Sequence, residues 1–297
     1  MVDVGLSVYS GLGAETVPYL DSCAGRFDSI WLPDHLQTNV EGVMEGWTLL
    51  SFCAGRYPGK TVGHQVLCNQ FRESAVLAKM AATAQVLTGG RFVLGIGAGW
   101  HRGEADAYGL DFPGFPERID RLIEAIALIR QLWTGEPIHH SGRFYETTGA
   151  VCLPSPASLP PVMVGASGER HGLRAVATSA DWWNHIFRST DEYSAKAATL
   201  RRHCDDLGRD PAEIRHVLGT QISIAETDSE LRRLISSGNV RSVDRNGISG
   251  TPDRVYSQLA EAIDAGARMV IAGFADSPST VGTELFVDQV LPRLEAL

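Results

Sequence analysis

Two neighbouring residues, Asp34 and His35, could carry acid–base chemistry. They follow a short apolar run and Pro33 in the chain. A histidine can accept or donate a proton near neutral pH, and an adjacent carboxylate could fix its tautomer or bind a ligand. The same pair would also suit an Asx turn that only closes a strand. We treat His35 as a candidate proton-transfer residue and Asp34 as a candidate binding residue.

A glycine-rich segment, Gly95–Trp100, offers backbone that a ligand could approach closely. Its letters are GIGAGW, so the glycines follow a GxGxG pattern rather than the GxGxxG pattern of dinucleotide-binding folds. The segment also follows the fourth apolar run and not the first, which argues against a Rossmann site. Glycines at the end of a strand indicate either a close approach to a ligand or a tight turn.

A second candidate binding segment, Gly165–Val176, combines a strand end, a turn of small residues and a helix start. Backbone N–H groups at a helix start suit a phosphate, and Arg170 and Arg174 would add positive charge. Glu169 opposes that charge slightly. An ordinary strand-to-helix turn with surface arginines would have the same composition.

The elements that must position these segments alternate regularly. Eight short apolar runs predict strands, and the amphipathic stretches between them predict helices. The predicted strands are Val4–Tyr9, Ser29–Leu32, Thr61–Cys68, Phe92–Ile96, Val162–Val164, Asp181–Ile186, Val217–Ala225 and Met269–Phe274. Eight strand–helix units predict an α/β fold, a TIM (β/α)8 barrel formed by residues 1–297 as a single domain. Such a barrel gathers the carboxyl ends of its strands around one site.

Two segments interrupt this alternation. Gly135–Pro161 forms a long insertion after strand 4, between the fourth and fifth units. Ser236–Gly250, rich in serine, glycine, asparagine and arginine, forms a second one. Within the third predicted strand, the polar residues His64 and Gln65 occupy positions where an ordinary barrel strand would carry valine or isoleucine.

The composition excludes several classes of protein. The chain has 297 residues, is 44% hydrophobic and carries a formal net charge of −9. It can therefore bury a core, and its acidic balance gives no general attraction to nucleic acid or to an anionic membrane. The sequence contains no run of roughly 18 apolar residues, so it predicts no membrane-spanning helix. Five scattered cysteines without a CxxC spacing favour reduced thiols and a cytoplasmic location.

Known metal and hydrolase motifs are missing from the sequence. His139 and His140 have no third ligand at helical spacing, so no metal site is expected. HExxH, P-loop, GxSxG and kinase motifs do not occur, which leaves hydrolase and kinase functions with little support.

Taken in order, these segments resemble the luciferase-like monooxygenase superfamily, and most of all its branch that depends on the deazaflavin coenzyme F420. The resemblance covers nearly the whole chain. It rests on FDSIWLPDH (Phe27–His35), RFVLGIGAGWHRGEADAYGLDFP (Arg91–Pro113), ERIDRLIEAIALIRQLWTGEP (Glu117–Pro137), GRFYE, LPSP, PPVMVGASGER, ADWWN and SGTPDRV…AGARMVIAG.

The resemblance implies a cofactor site at the carboxyl-end mouth of the barrel. A non-prolyl cis peptide between Gln65 and Val66 would back the ring, and His35 would act as the acid/base or substrate contact. The glycine-rich segment would admit the cofactor's tail, and the small-residue turn would bind its phosphate. The residues implied in cofactor binding are Asp34, Gln65, Val66, Cys68, Gly97, Ala98, Gly99, Trp100, Gly165, Ala166, Ser167, Gly168 and Arg170.

One departure from the family pattern bears on the substrate. Trp100 stands where the sugar-phosphate dehydrogenase branch has a glutamate, and the late loops show no strong cationic set. Glucose 6-phosphate is therefore not the expected substrate, and the sequence leaves His35 without an identified acid/base partner.

The resulting prediction is an oxidoreductase that transfers a hydride between coenzyme F420 and a small organic substrate. An FMN-dependent monooxygenase of the same fold is the alternative, and a non-catalytic flavin-binding paralogue is a second one. The expected partner is a small molecule, with no nucleic acid and no membrane, and the resemblance implies a homodimer.

Overall fold

The structure is a computed structural model that describes residues 2–8, 10–38, 42–238 and 247–297. These residues form twelve strands and eleven α-helices. The strands are β1 (Asp3–Ser7), β2 (Ser29–Leu32), β3 (Thr61–His64), β4 (Leu67–Cys68), β5 (Phe92–Gly97), β6 (Ile138–Ser141), β7 (Glu146–Ala150), β8 (Val162–Gly165), β9 (Trp182–Ile186), β10 (Arg215–Ile224), β11 (Gly247–Gly250) and β12 (Met269–Phe274). The helices are α1 (Thr16–Cys23), α2 (Gly46–Arg56), α3 (Ser74–Leu87), α4 (Arg102–Ala107), α5 (Phe115–Leu132), α6 (Gly172–Ser179), α7 (Thr190–Leu207), α8 (Asp228–Ser236), α9 (Pro252–Asp264), α10 (Val281–Gln289) and α11 (Leu291–Glu295).

Parallel strands close into a barrel in the order β1, β2, β3, β5, β8, β9, β10 and β12, and β12 pairs again with β1. Strand β4 continues the line of β3 after a break and pairs with β5, while β11 pairs with β10. The predicted TIM barrel is therefore confirmed, and each of its eight predicted strands overlaps an observed one.

Large apolar side chains fill the barrel interior. They include Trp31, Val93, Met163, Val217, Met269 and Ile271. A Cβ atom on Gly63 would lie 2.7 Å from the Trp31 ring, so glycine in β3 makes room for this tryptophan. His64, the next residue, is fully buried and stacks on Trp47 of α2, with ring centroids 5.6 Å apart. Of the two polar residues in the third predicted strand, His64 therefore packs outward against helix α2.

The predicted insertion after the fourth barrel strand contains an antiparallel hairpin of β6 and β7. Its turn is held against α5, because Glu124 accepts hydrogen bonds from the backbone N–H groups of Phe144 and Tyr145, each at 3.0 Å. Of the second predicted insertion, residues 239–246 lie outside the described residues. Among the described helices, none combines the length and apolar character needed to cross a bilayer.

Candidate active site

A cavity of about 370 Å³ opens at the carboxyl ends of the barrel strands. Thirteen of the fourteen predicted site residues line it, namely Asp34, His35, Gln65, Val66, Cys68, Gly97, Ala98, Gly99, Trp100, Gly165, Ala166, Ser167 and Gly168. The exception is Arg170, which is exposed and lines a separate shallow groove with Arg202 and His203. The structure therefore brings together four segments that are far apart in the chain, and leaves one predicted cation outside.

His35 is paired with a buried carboxylate that the sequence analysis missed. Its Nδ1 atom lies 3.0 Å from Oε1 and 3.2 Å from Oε2 of Glu104, which is 3% exposed. Glu104 also accepts a hydrogen bond from the backbone N–H of Leu36 at 3.0 Å. A carboxylate is an acceptor, so neutral His35 carries its proton on Nδ1 and keeps the Nε2 lone pair for proton exchange.

The short helix α4 places Glu104 at this position. It begins just after the glycine-rich turn, and the Nδ1 atom of His101 accepts the backbone N–H of Glu104 at 3.0 Å. Tyr108 then donates its hydroxyl to the carbonyl of Leu36 at 3.2 Å, which ties the end of the helix to the loop after β2. The only sequence signal for this role was an acid within about one helical turn of Trp100.

Asp34 supports the cavity wall through its carboxylate. Arg72 donates to its two oxygens at 2.9 Å each, and the backbone N–H of Cys68 donates at 2.9 Å. The Asp34 side chain has no exposed surface. In this arrangement the carboxylate fixes the loop after β2 against β4, and Asp34 also lines the cavity.

Glycine backbone and one valine form the floor of the cavity. A Cβ atom on Gly97 or Gly165 would lie 2.9 Å or 2.8 Å from the Cγ2 atom of Val66. Gly99 has a φ of +72°, and a Cβ there would lie 2.6 Å from the Cys68 sulfur. The peptide bond between Gln65 and Val66 is cis, as predicted. Side chains at these glycines would collide with Val66 or Cys68, so only glycine lets the backbone pack this closely around the floor.

A buried arginine, Arg118 of α5, holds the glycine-rich turn from behind. Its Nε atom donates to the carbonyl of Ala98 at 3.0 Å and an Nη atom donates to the carbonyl of Pro113 at 2.6 Å. Its guanidinium lies over the Phe112 ring, 4.1 Å from the centroid. Sequence reasoning missed this residue, although a charge on the apolar face that includes Leu122 and Ile126 is a recognisable signal.

The upper walls are largely apolar, and the described lining residues include no lysine or arginine. Apolar side chains come from Phe71, Phe112, Phe115, Ile119 and Ile186. Trp100 is 74% exposed at the rim and meets the ring of His35 edge-on, with centroids 5.8 Å apart. Burial raises the pKa of the Cys68 thiol to about 12, so this lining residue stays neutral.

The comparison with known protein families agrees with this architecture. Residues 24–243 match the luciferase-like monooxygenase family. The chain belongs to this family. The family assignment confirms the resemblance that the sequence segments indicated.

Relatives of this luciferase-like protein include F420-dependent enzymes. An F420-dependent hydroxymycolic acid dehydrogenase of Mycobacterium tuberculosis is 31% identical over 295 residues, covering 90% of this chain and 81% of the relative. An F420-dependent glucose-6-phosphate dehydrogenase of Amycolatopsis mediterranei is 30% identical over 311 residues, covering 91% of each chain.

Solved structures share the fold of this luciferase-like protein. An F420-dependent secondary alcohol dehydrogenase in complex with an F420-acetone adduct has a TM-score of 0.84 at 16% identity, covering 98% of both chains. The coenzyme F420 dependent tetrahydromethanopterin reductase of Methanopyrus kandleri has a TM-score of 0.80 at 19% identity, covering 98% of this chain and 99% of the reductase.

Proposed function

We propose that the chain is a coenzyme F420-dependent oxidoreductase that transfers a hydride between the deazaflavin and an uncharged organic substrate. The observation that carries this proposal is the His35–Glu104 pair, which lines the same cavity as the glycine floor. A proton-transfer group beside a site for a flat ring is the arrangement that hydride transfer to or from a C–O bond requires.

The residues around the cavity fit a deazaflavin. Val66, Gly97 and Gly165 line the cavity together, so a planar ring would meet glycine backbone and one apolar side chain there. The exposed turn at Ser167 and Gly168, just before α6, offers backbone to a phosphate. We assign ring and tail contacts to the cavity residues, and we leave Arg170 out because its side chain lies in another groove.

Bound coenzyme F420 would supply the hydride acceptor or donor. In the oxidation of an alcohol, the Nε2 atom of His35 takes the hydroxyl proton as the hydride leaves the carbon, and in reduction it returns that proton to the carbonyl oxygen. Glu104 holds the ring in the required tautomer and stabilises the imidazolium that forms. The aromatic walls exclude water from the reacting atoms.

The walls favour a secondary alcohol or ketone over a sugar phosphate. Both carboxylates of the lining, Asp34 and Glu104, already accept several hydrogen bonds from the protein, and the described lining holds no lysine or arginine for a phosphate. The relative named as an F420-dependent hydroxymycolic acid dehydrogenase supports an alcohol as the substrate class. At the position where the sugar-phosphate dehydrogenase branch has a glutamate, this chain has the aromatic ring of Trp100, which lies beside His35. An aromatic surface there favours an apolar substrate over a polar sugar.

Titration of the purified chain with coenzyme F420 and with FMN, followed by fluorescence, tests the cofactor. We expect F420 to bind at least about tenfold more tightly, which corresponds to roughly 1.4 kcal/mol. Equal or tighter binding of FMN would favour the monooxygenase alternative. Tight F420 binding without turnover of any secondary alcohol, ketone or glucose 6-phosphate would favour the non-catalytic paralogue.

We also propose that two copies of the chain associate through α2 and α3. The apolar groove between these helices exposes Val76 and Leu87, at 57% and 81%. Its one charged lining residue is Lys79, which donates to the carbonyl of Leu153. Each copy of the chain carries a net charge of −9, so two copies repel each other over most of their surfaces. The described lining of this groove includes no acidic residue, and two copies can therefore meet here with little repulsion.

Sedimentation at several protein concentrations tests this association. Leu87→Glu should convert a dimer to a monomer, because it places charge in the apolar groove. Leu207→Glu is the matched control, since Leu207 is also exposed but lies on α7. A wild-type chain that sediments as a monomer would contradict the proposal.

A cytoplasmic location is proposed on the cysteines. Cys23, Cys53, Cys68, Cys152 and Cys204 are all buried and form no disulfide. Reduced, buried thiols are typical of proteins in a reducing compartment. Alkylation of the protein from its native host under denaturing conditions, with and without prior reduction, should label the same number of thiols.

A further inference from the structure

Asn184 is a cavity residue whose side chain has an unpartnered polar atom. It lies on β9, is 4% exposed and lines the cavity. Its Nδ2 atom has no hydrogen-bond partner. A buried amide without a partner destabilises a fold, whereas leucine has nearly the same shape and no polar atoms. Packing alone therefore does not account for asparagine at this position.

The neighbours of Asn184 place it beside the floor of the cavity. It pairs with Gly165 in the register of β8 and β9, and its backbone carbonyl accepts the N–H of Ala166 at 3.2 Å. The Val66 side chain packs against Gly165, where a Cβ atom would lie 2.8 Å from Val66 Cγ2. Asn184 thus stands at the edge of the surface over which a flat ligand would lie.

Asn184 and His35 approach the cavity from opposite sides of the barrel. Strand β9 is four strands from β2 in either direction around the closed sheet. In a barrel of eight strands, positions four strands apart face each other across the axis. The two side chains therefore contact different parts of any occupant, and Asn184 does not share the reacting oxygen with His35.

We propose that Asn184 is a cofactor-binding residue whose amide forms a hydrogen bond with a polar atom of the deazaflavin. This assignment rests on the proposed function. Binding of the cofactor supplies the partner that the protein does not provide. Since Asn184 lies opposite the proton-transfer pair, its contribution is to affinity and orientation and not to the proton step.

The test replaces the amide without changing its shape. Asn184→Leu should weaken binding of coenzyme F420 at least tenfold, measured by fluorescence titration. Its thermal unfolding midpoint in the absence of cofactor should stay the same or rise, because an unpartnered polar group is removed. Cofactor should then raise that midpoint less in the variant than in the wild-type chain.

Ser223→Ala is the matched control. Ser223 is 2% exposed and its hydroxyl also has no partner, but it does not line the cavity. We expect F420 affinity within twofold of wild type for this variant. An equal loss in both variants would overturn the assignment, because it would show a general effect of the barrel interior.

Two results separate the assignment from the proposed function. If the wild-type chain binds F420 and Asn184→Leu binds it within twofold, the role of Asn184 is wrong and the function stands. If the wild-type chain does not bind F420, both fail. Should Asn184→Leu not yield folded protein, Asn184→Ala removes the amide without added bulk and is judged by the same tenfold and twofold limits.

Discussion

His35 Nδ1 lies 3.0 Å from Glu104 Oε1, although 69 positions separate the two residues in the chain. The histidine follows β2 and the glutamate belongs to α4, the helix after β5. The barrel brings them together because β2 and β5 both pair with β3. His35 therefore has a carboxylate partner even though Trp100 stands where the sugar-phosphate branch has an acid.

Replacement of His35 should slow the reaction and leave cofactor binding intact. His35→Ala removes the group that exchanges a proton with the substrate, and such groups contribute typically about 10²–10⁴-fold to the rate. Turnover is measured with the best secondary alcohol or ketone, and F420 affinity by fluorescence. His139→Ala, on the exposed part of the hairpin, is the control. Unchanged turnover in His35→Ala would remove this residue from the mechanism.

Replacement of Glu104 should act through His35. Glu104→Gln keeps the shape but loses the charge that stabilises the imidazolium, so turnover should fall. Because the residues act together, we expect a coupling of about 0.5–3 kcal/mol between the two positions. In a double-mutant cycle, His35→Ala with Glu104→Gln should be little slower than His35→Ala alone. Fully additive losses would mean that Glu104 acts on the loop after β2 and not on His35.

The fold could be predicted because barrel strands and helices differ in local periodicity. Each of the eight apolar runs overlaps a strand, and the apolar row of α5, with Ile119, Leu122, Ile126 and Ile129, is buried as its spacing indicates. The glycines of the site could also be found, since only backbone without a Cβ fits at Gly97 and Gly165. These features depend on residues that are close in sequence.

Side-chain pairing across the barrel could not be predicted in the same way. The carboxylate that contacts His35 is determined by the direction in which α4 leaves the glycine-rich turn. The sequence near His35 does not indicate that direction. Asp34 illustrates the same limit, because Arg72, 38 positions away, occupies its carboxylate. Arg170 lies only two positions past Gly168, in the turn before α6, yet its side chain lines another groove, and the sequence does not fix the direction of a side chain in such a turn.

A charge at the small-residue turn should weaken cofactor binding. A Cβ on Gly168 would lie 3.7 Å from the Phe115 ring, an ordinary contact, so Gly168→Glu can be accommodated. The added carboxylate would repel a phosphate at the start of α6, and F420 affinity should fall at least about tenfold, or roughly 1.4 kcal/mol. Gly25→Glu is the control, because nothing lies within 4 Å of its Cβ position. Unchanged F420 affinity in Gly168→Glu would place the phosphate elsewhere.

Two buried histidines and one half-buried histidine should make the chain sensitive to mild acid. Burial lowers the pKa of His64, His185 and His216 from 6.5 to about 4. The unfolded chain, with ordinary pKa values, therefore binds more protons than the folded chain between these limits. The free energy of unfolding is at its full value above about pH 6.5 and falls as the pH drops toward 4, by at most about 1.4 kcal/mol per pH unit for each histidine.

Urea unfolding at about pH 7 and pH 5 measures this loss, and His185 offers the cleanest variant. Both of its ring nitrogens lack hydrogen-bond partners, whereas His216 is bonded to Tyr193 at 2.7 Å. His185→Leu removes the titrating group without breaking a hydrogen bond, so the difference in unfolding free energy between the two pH values should shrink. His139→Leu, at an exposed position, should leave that difference unchanged. An equal pH dependence in His185→Leu and the wild-type chain would show that other groups cause the acid sensitivity.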